Sequence, residues 1–139
     1  MLKTIDLAAI TDGKMTGTVD VTAYGWETRY SWGHTAEVMV NFETVARAKI
    51  RYYNRTWESY RFQSVIHCAL RGYVHNILGI DPLKSVCNRD KTPMKTDTAE
   101  ARRVERLRAK EFAAFLYDRL TAYVDGRLEV GKPASRNVA

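Results

Sequence analysis

The sequence predicts an α+β fold: an antiparallel N-terminal sheet of about four strands, residues 3–53, packed by two C-terminal helices over about 57–78 and 98–124. Two observations predict it. Apolar residues alternate with period two up to Asn54 and recur at helical spacing after it. The resulting order, strands first and helices last, is that of a sheet covered on one face by helices. Residues 1–130 read as one domain, and 131–139, with Pro133, Ser135 and Asn137, as a frayed tail.

Lys3 to Thr11 and Lys14 to Tyr24 read as two strands flanking Asp12-Gly13, a pair suited to the positive φ of a hairpin turn. In the second run Val19, Val21 and Ala23 share one face. Trp26 to Trp32, punctuated by Gly25 and Gly33, reads as a strand or a structured loop. Ala36 to Phe42 alternates, with Val38, Val40 and Phe42 on one face, and a short turn is expected near Glu43-Thr44. Beyond it Ala46, Ala48, Ile50 and Tyr52 face one way while Arg47, Lys49 and Arg51 face the other, the pattern of a half-buried strand.

After Asn54 the apolar residues Phe62, Ile66, Ala69, Tyr73 and Ile77 form one stripe of a helix that Gly79 would end. Residues 79–96, with Pro82 and Pro93, read as a long connection. The second helix is expected to begin at Asp97, where Asp97-Thr98-Ala99-Glu100 has capping-box spacing, and to stop at Asp125-Gly126.

There are 22 Lys and Arg against 16 Asp and Glu, a net charge of +6. That balance favours an anionic partner, nucleic acid above all, although a charge of this size also keeps small domains soluble. Its distribution is more informative. From Arg47 to Phe62 five cations (Arg47, Lys49, Arg51, Arg55, Arg61) meet one acid, Glu58, and are interleaved with Tyr52, Tyr53, Trp57, Tyr60 and Phe62. Cations that follow phosphates and rings that stack on bases are what single-stranded nucleic acid requires. On the first helix Arg61 and Arg71 lie on the polar side with Trp57, Ser64, Cys68 and His75. On the second, Arg102, Arg106 and Lys110 recur at i, i+4 and i+8, flanked by Arg103, with Ala101, Val104, Leu107 and Phe115 roughly opposite. The candidate anion-binding set is therefore Arg47, Lys49, Arg51, Arg55, Trp57, Arg61, Arg71, Arg102, Arg103, Arg106 and Lys110.

Catalytic signatures are missing. His34-Thr35-Ala36-Glu37 has one residue too many for the His-x-Glu of zinc deaminases, and no Pro-Cys-x-x-Cys follows. His67, Cys68, His75 and Cys87 match no familiar zinc module. No Gly-rich phosphate loop, nucleophile elbow or His-Glu-x-x-His occurs. No cofactor and no metal are expected.

No run reaches the roughly 18 apolar residues of a membrane span, and Met1 to Ile10 does not read as a signal peptide. Two cysteines are too few for a disulfide scaffold, so a cytoplasmic home is expected. The expectation is a non-enzymatic binding or regulatory protein that engages nucleic acid or a nucleoprotein. Small size, basic charge and absent motifs give it the general character of a phage or mobile-element accessory protein, whose compartment would be the host cytoplasm. The alternatives are an inhibitor that docks on an acidic protein surface, a homodimer being compatible with it, and a binder of small phosphorylated ligands such as nucleotides.

Overall fold

A computed structural model describes residues 2–52, 62–84 and 97–130. Strands β1 (Leu2–Asp6), β2 (Thr18–Glu27), β3 (Trp32–Val40) and β4 (Glu43–Tyr52) form one antiparallel sheet in the order β1-β2-β3-β4. A four-residue helix, α1 (Leu7–Ile10), links β1 to β2, and α2 (Phe62–Leu78) and α3 (Asp97–Val124) follow the sheet. The α+β architecture is thus as the alternation and its change of period predict.

The first strand is shorter than expected. It ends at Asp6, whose carboxylate accepts the Ala8 N–H at 3.1 Å and so caps α1. Leu7 and Ile10, three apart, are both buried in that turn. Asp12 and Gly13 do take positive φ, 54° and 80°, but they close the loop after α1, because β1 and β2 pair from Leu2–Thr22 to Asp6–Thr18. Buried Thr11 ties the loop: its Oγ1 donates to the Leu7 carbonyl at 2.6 Å and accepts the Met15 N–H at 3.0 Å. The aromatic stretch is a hairpin that pairs Trp26 with Gly33 and Glu27 with Trp32, closed by Thr28 N–H donating to the Ser31 carbonyl at 2.7 Å.

The β3–β4 turn falls on Asn41-Phe42, two residues before the expected position. Both take positive φ, 52° and 68°, and Val40 pairs with Glu43 across them. Asn tolerates the left-handed region, whereas Phe does so at a cost. Phe42 is accordingly not a core residue but 95% exposed at the tip.

A bulge follows. Met39 pairs with Thr44 but Val38 pairs with Ala46, which leaves Val45 as an extra residue in β4. The Asn76 side chain of α2 donates to the Val45 carbonyl at 3.0 Å. Beyond the bulge Ala46, Ala48 and Ile50 face the helices, and Arg47, Lys49 and Arg51 face away.

Helix α2 packs across β2, β3 and β4. It buries Val65, Ile66, Ala69, Leu70, Tyr73 and Val74 against Val19, Val21, Ala23, Ala36, Val38 and Ala46. The buried arc is wider than a single stripe because α3 also packs on α2. It therefore turns away from Ile77, which is 42% exposed rather than part of the core. Gly79 ends α2 as expected, with φ 73° and its N–H donating to the His75 carbonyl at 2.8 Å. In α3 the buried residues are Ala113, Leu116, Leu120, Thr121 and Ala122 of the C-terminal half. The expected apolar side of its first turns is not buried: Ala101 and Leu107 are exposed. Among the described residues no helix is long and apolar enough to cross a membrane.

Two outcomes test this account. Phe42→Gly supplies the residue that the second position of this turn prefers, and should stabilise the protein by about 1 kcal/mol, read as a Tm raised by about 3 °C. Deleting Val45 should leave the protein folded with Arg47, Lys49 and Arg51 still outward, because Ala46 would still oppose Val38. Inserting one alanine after Ala46 should instead abolish cooperative unfolding by moving the three cations to the core face. An insertion variant as stable as the parent would show that the register of β4 is not fixed by this alternation.

Candidate nucleic-acid interface

The sheet face away from α2 is built of cross-strand rows. The strand register aligns Thr22 with Glu37 and Arg47, Tyr24 with Thr35 and Lys49, and Trp26 with Gly33 and Arg51. In two of these rows β2 supplies an aromatic ring, β3 a small residue and β4 a cation. Small central residues let the outer side chains meet across β3. The Trp26 ring lies over Gly33, where a Cβ would collide with the Ile50 carbonyl oxygen and come within 2.6 Å of Trp26 Cζ2. Lys49 Nζ stands 4.6 Å from the centroid of that ring and Arg51 Cζ 5.4 Å, both within cation–π range. Arg47 reaches the other way: its Nε is 3.2 Å from Glu37 Oε1, and its Nη2 donates to the Tyr24 hydroxyl at 3.4 Å.

At the tip of the β2–β3 hairpin Arg29 lies against Tyr30, 5.4 Å from the ring centroid. Tyr30 is 79% exposed and Tyr24 43%. Neither ring belongs to the candidate set read from the sequence. The signal that would have found them is Gly33: a glycine inside an aromatic strand marks a close approach, here by a ring from the neighbouring strand.

The predicted site residues separate into groups. Arg47, Lys49 and Arg51 share the uncovered face. Arg55, Trp57 and Arg61 lie outside the described residues. Arg71 is on α2, where its Nε and Nη2 donate to both Asp81 carboxylate oxygens at 2.8 and 2.7 Å. Lys110 donates to the Asp81 and Pro82 carbonyls at 2.9 and 2.5 Å. These two side chains fasten the segment after α2 to both helices, a structural task that helical spacing alone does not reveal. Arg102, Arg103 and Arg106 are exposed on the N-terminal half of α3. Since α3 packs on α2, and α2 covers the opposite face of the sheet, the helix cations and the strand cations do not form one surface.

The residues weighed for catalysis or metal also have positions. His34 and Glu37 are three apart in β3 and so point to opposite faces; His34 is buried beside Trp32, and that burial lowers its pKa. His67 Nε2 is 2.9 and 3.0 Å from the two carboxylate oxygens of Asp125. Cys68 and His75 are exposed, and Cys87 lies outside the described residues.

Two carboxylates are perturbed. The Arg71 fork, helped by the Leu83 N–H, holds the Asp81 carboxyl well below the ordinary carboxylate range. Burial pushes Asp125 up, but hydrogen bonds from His67 and Gln63 outweigh it and lower the group. Both folded-state values lie below the unfolded value of about 3.9, so the stability they contribute is present above that pH and is lost as pH falls through the folded values. Urea denaturation from pH 5 to pH 2 should therefore show falling stability. Asp81→Asn should be less stable at pH 7 and decline less steeply in acid; a decline as steep as the parent's would assign the effect to other groups. No family model matches the sequence, and neither a curated protein nor a solved structure matches the chain.

Proposed function

We propose that the protein is a non-enzymatic binding protein that engages nucleic acid, free or within a nucleoprotein, through the uncovered face of its sheet. The observation that carries this reading is the pair of rows Tyr24–Thr35–Lys49 and Trp26–Gly33–Arg51, which set aromatic rings beside cations on a surface that no described element covers. Cations of this kind neutralise phosphates and release counterions, and rings beside them accept bases. Arg47 is the weaker contributor of the three, because Glu37 already offsets its charge. Arg102, Arg103 and Arg106 belong to a separate surface and are not needed for this site.

The other two readings find less support among the described residues. Docking on an acidic protein would lean on Trp57 and Tyr60 as anchors, and both lie outside the described residues. A small phosphorylated ligand needs cations converging on a hollow. The hollow on α3 is lined by Glu100, Ala101, Val104, Glu105 and Arg108, two carboxylates to one guanidinium, which repels phosphate.

The test is fluorescence anisotropy with labelled oligonucleotides titrated across salt. Lys49→Ala with Arg51→Ala should weaken binding to all sequences alike by about tenfold or more, and reduce the slope of log K against log salt by about 1.4–1.8, the loss of two phosphate contacts. Arg102→Ala with Arg103→Ala should leave both quantities near the parent's. Unchanged affinity and slope in the strand double variant would remove the sheet face from the model.

A further inference from the structure

We infer that the nucleic acid this face takes is single-stranded, with bases stacked on Tyr24 and Tyr30 and phosphates held by Arg29, Lys49 and Arg51. The inference rests on the nucleic-acid reading above and deepens it. The three aromatic residues of the β2 side do different jobs. Trp26 is already engaged: its ring lies over Gly33 and has Lys49 and Arg51 against it. It is a positioning residue that holds the two cations in place on an edge strand, where long side chains would otherwise sample many rotamers. Tyr24 and Tyr30 are the open rings, 43% and 79% exposed.

Tyr30 is also held in place. The turn that carries it is closed by Thr28 N–H to the Ser31 carbonyl at 2.7 Å and by Ser31 N–H to Thr28 Oγ1 at 3.1 Å. Arg29 beside it, 5.4 Å from the ring centroid, adds a cation to the same tip. A ring presented on a closed turn gains by covering its face with another flat apolar surface. Bases in a duplex have both faces occupied by their neighbours, so an open ring meets a base only where the strand is unpaired.

The charge pattern agrees. On this face the two rows nearest the hairpin turn carry Tyr24, Thr35, Lys49, Trp26, Gly33 and Arg51 and no carboxylate, while Glu27, in the last pair with Trp32, points to the other face. On this face Glu37 and Asp20 lie in rows farther from that turn, where Glu37 pairs with Arg47 and Asp20 accepts from Thr4 Oγ1 at 2.6 Å. Phosphates are therefore admitted at the aromatic end. Three cations at that end imply a salt slope of about −2 for a single strand.

The experiment compares labelled 12-nucleotide single strands, as DNA and as RNA, with a blunt DNA duplex of the same length at low salt. Single strands of either sugar should bind at least about tenfold more tightly than the duplex, with a slope near −2. Tyr24→Ala and Tyr30→Ala should each weaken the single strand about fivefold or more. They should leave the salt slope and duplex affinity unchanged, and Tyr24→Phe and Tyr30→Phe should restore binding. Trp26→Ala should instead lower the slope, as loss of ordered cations requires. Equal or tighter duplex binding, or tyrosine variants that bind single strands like the parent, would overturn the inference and leave the nucleic-acid reading standing. Failure of every probe to bind at low salt would overturn both.

Discussion

The extra residue Val45 decides what each face of β4 presents. Were Val45 paired rather than bulged, the turn at Asn41-Phe42 would continue the Val40–Glu43 and Met39–Thr44 pairing, setting Val45, Arg47, Lys49 and Arg51 opposite Val38, Ala36, His34 and Trp32. Three cations would then point into the layer where α2 buries Ala69, Leu70 and Val74, at a desolvation cost no small domain can meet. The bulge moves the pairing on by one residue, and the same alternation then gives an apolar inner face and a basic outer one. The hydrogen bond from Asn76 links this choice of register to the helix that benefits from it.

Once α2 and α3 occupy one side, the structure divides its basic residues by task. Arg71 and Lys110 are drawn inward to the chain that leaves α2, where carbonyl and carboxylate oxygens need donors. Such contacts involve partly buried groups and contribute more to stability than pairs in open solvent. Among the described residues Lys49 and Arg51 have no comparable protein anion and rest instead on the Trp26 ring, an interaction that orients them without neutralising them. Charge that is oriented but not neutralised is available to a ligand.

Much of this was legible in the sequence, and the reasons differ by element. The alternation from Ala46 to Tyr52 identified both faces of β4, because a half-buried strand must separate apolar from charged residues with period two. Gly79 and Asp125-Gly126 marked the helix ends through backbone conformation. Leu7 to Ile10 was misread because Ile5 and Leu7 continue a strand period, while the competing signals, the Asp6 cap and the Leu7–Ile10 spacing, span only one helical turn. Phe42 was misread because it completes an apolar alternation, and nothing in its residue type announces a left-handed backbone. The accessible rings of the interface were the hardest to assign: sequence shows that Tyr24, Trp26 and Tyr30 are close in the chain, but only the register through Gly33 shows which ring is occupied.

Strand β4 also ends the sheet, so one side of its backbone has no neighbouring strand in the β1-β2-β3-β4 order. A second copy approaching that side in antiparallel fashion, centred on Lys49, would bring Lys49 against Lys49 and Arg47 against Arg51. Like charges directly opposite each other repel, and the repulsion extends over roughly 10 Å at moderate ionic strength. The same side chains therefore keep copies of the chain from zipping together edge to edge. That protection is electrostatic, and it weakens wherever salt or a bound polyanion screens the three residues.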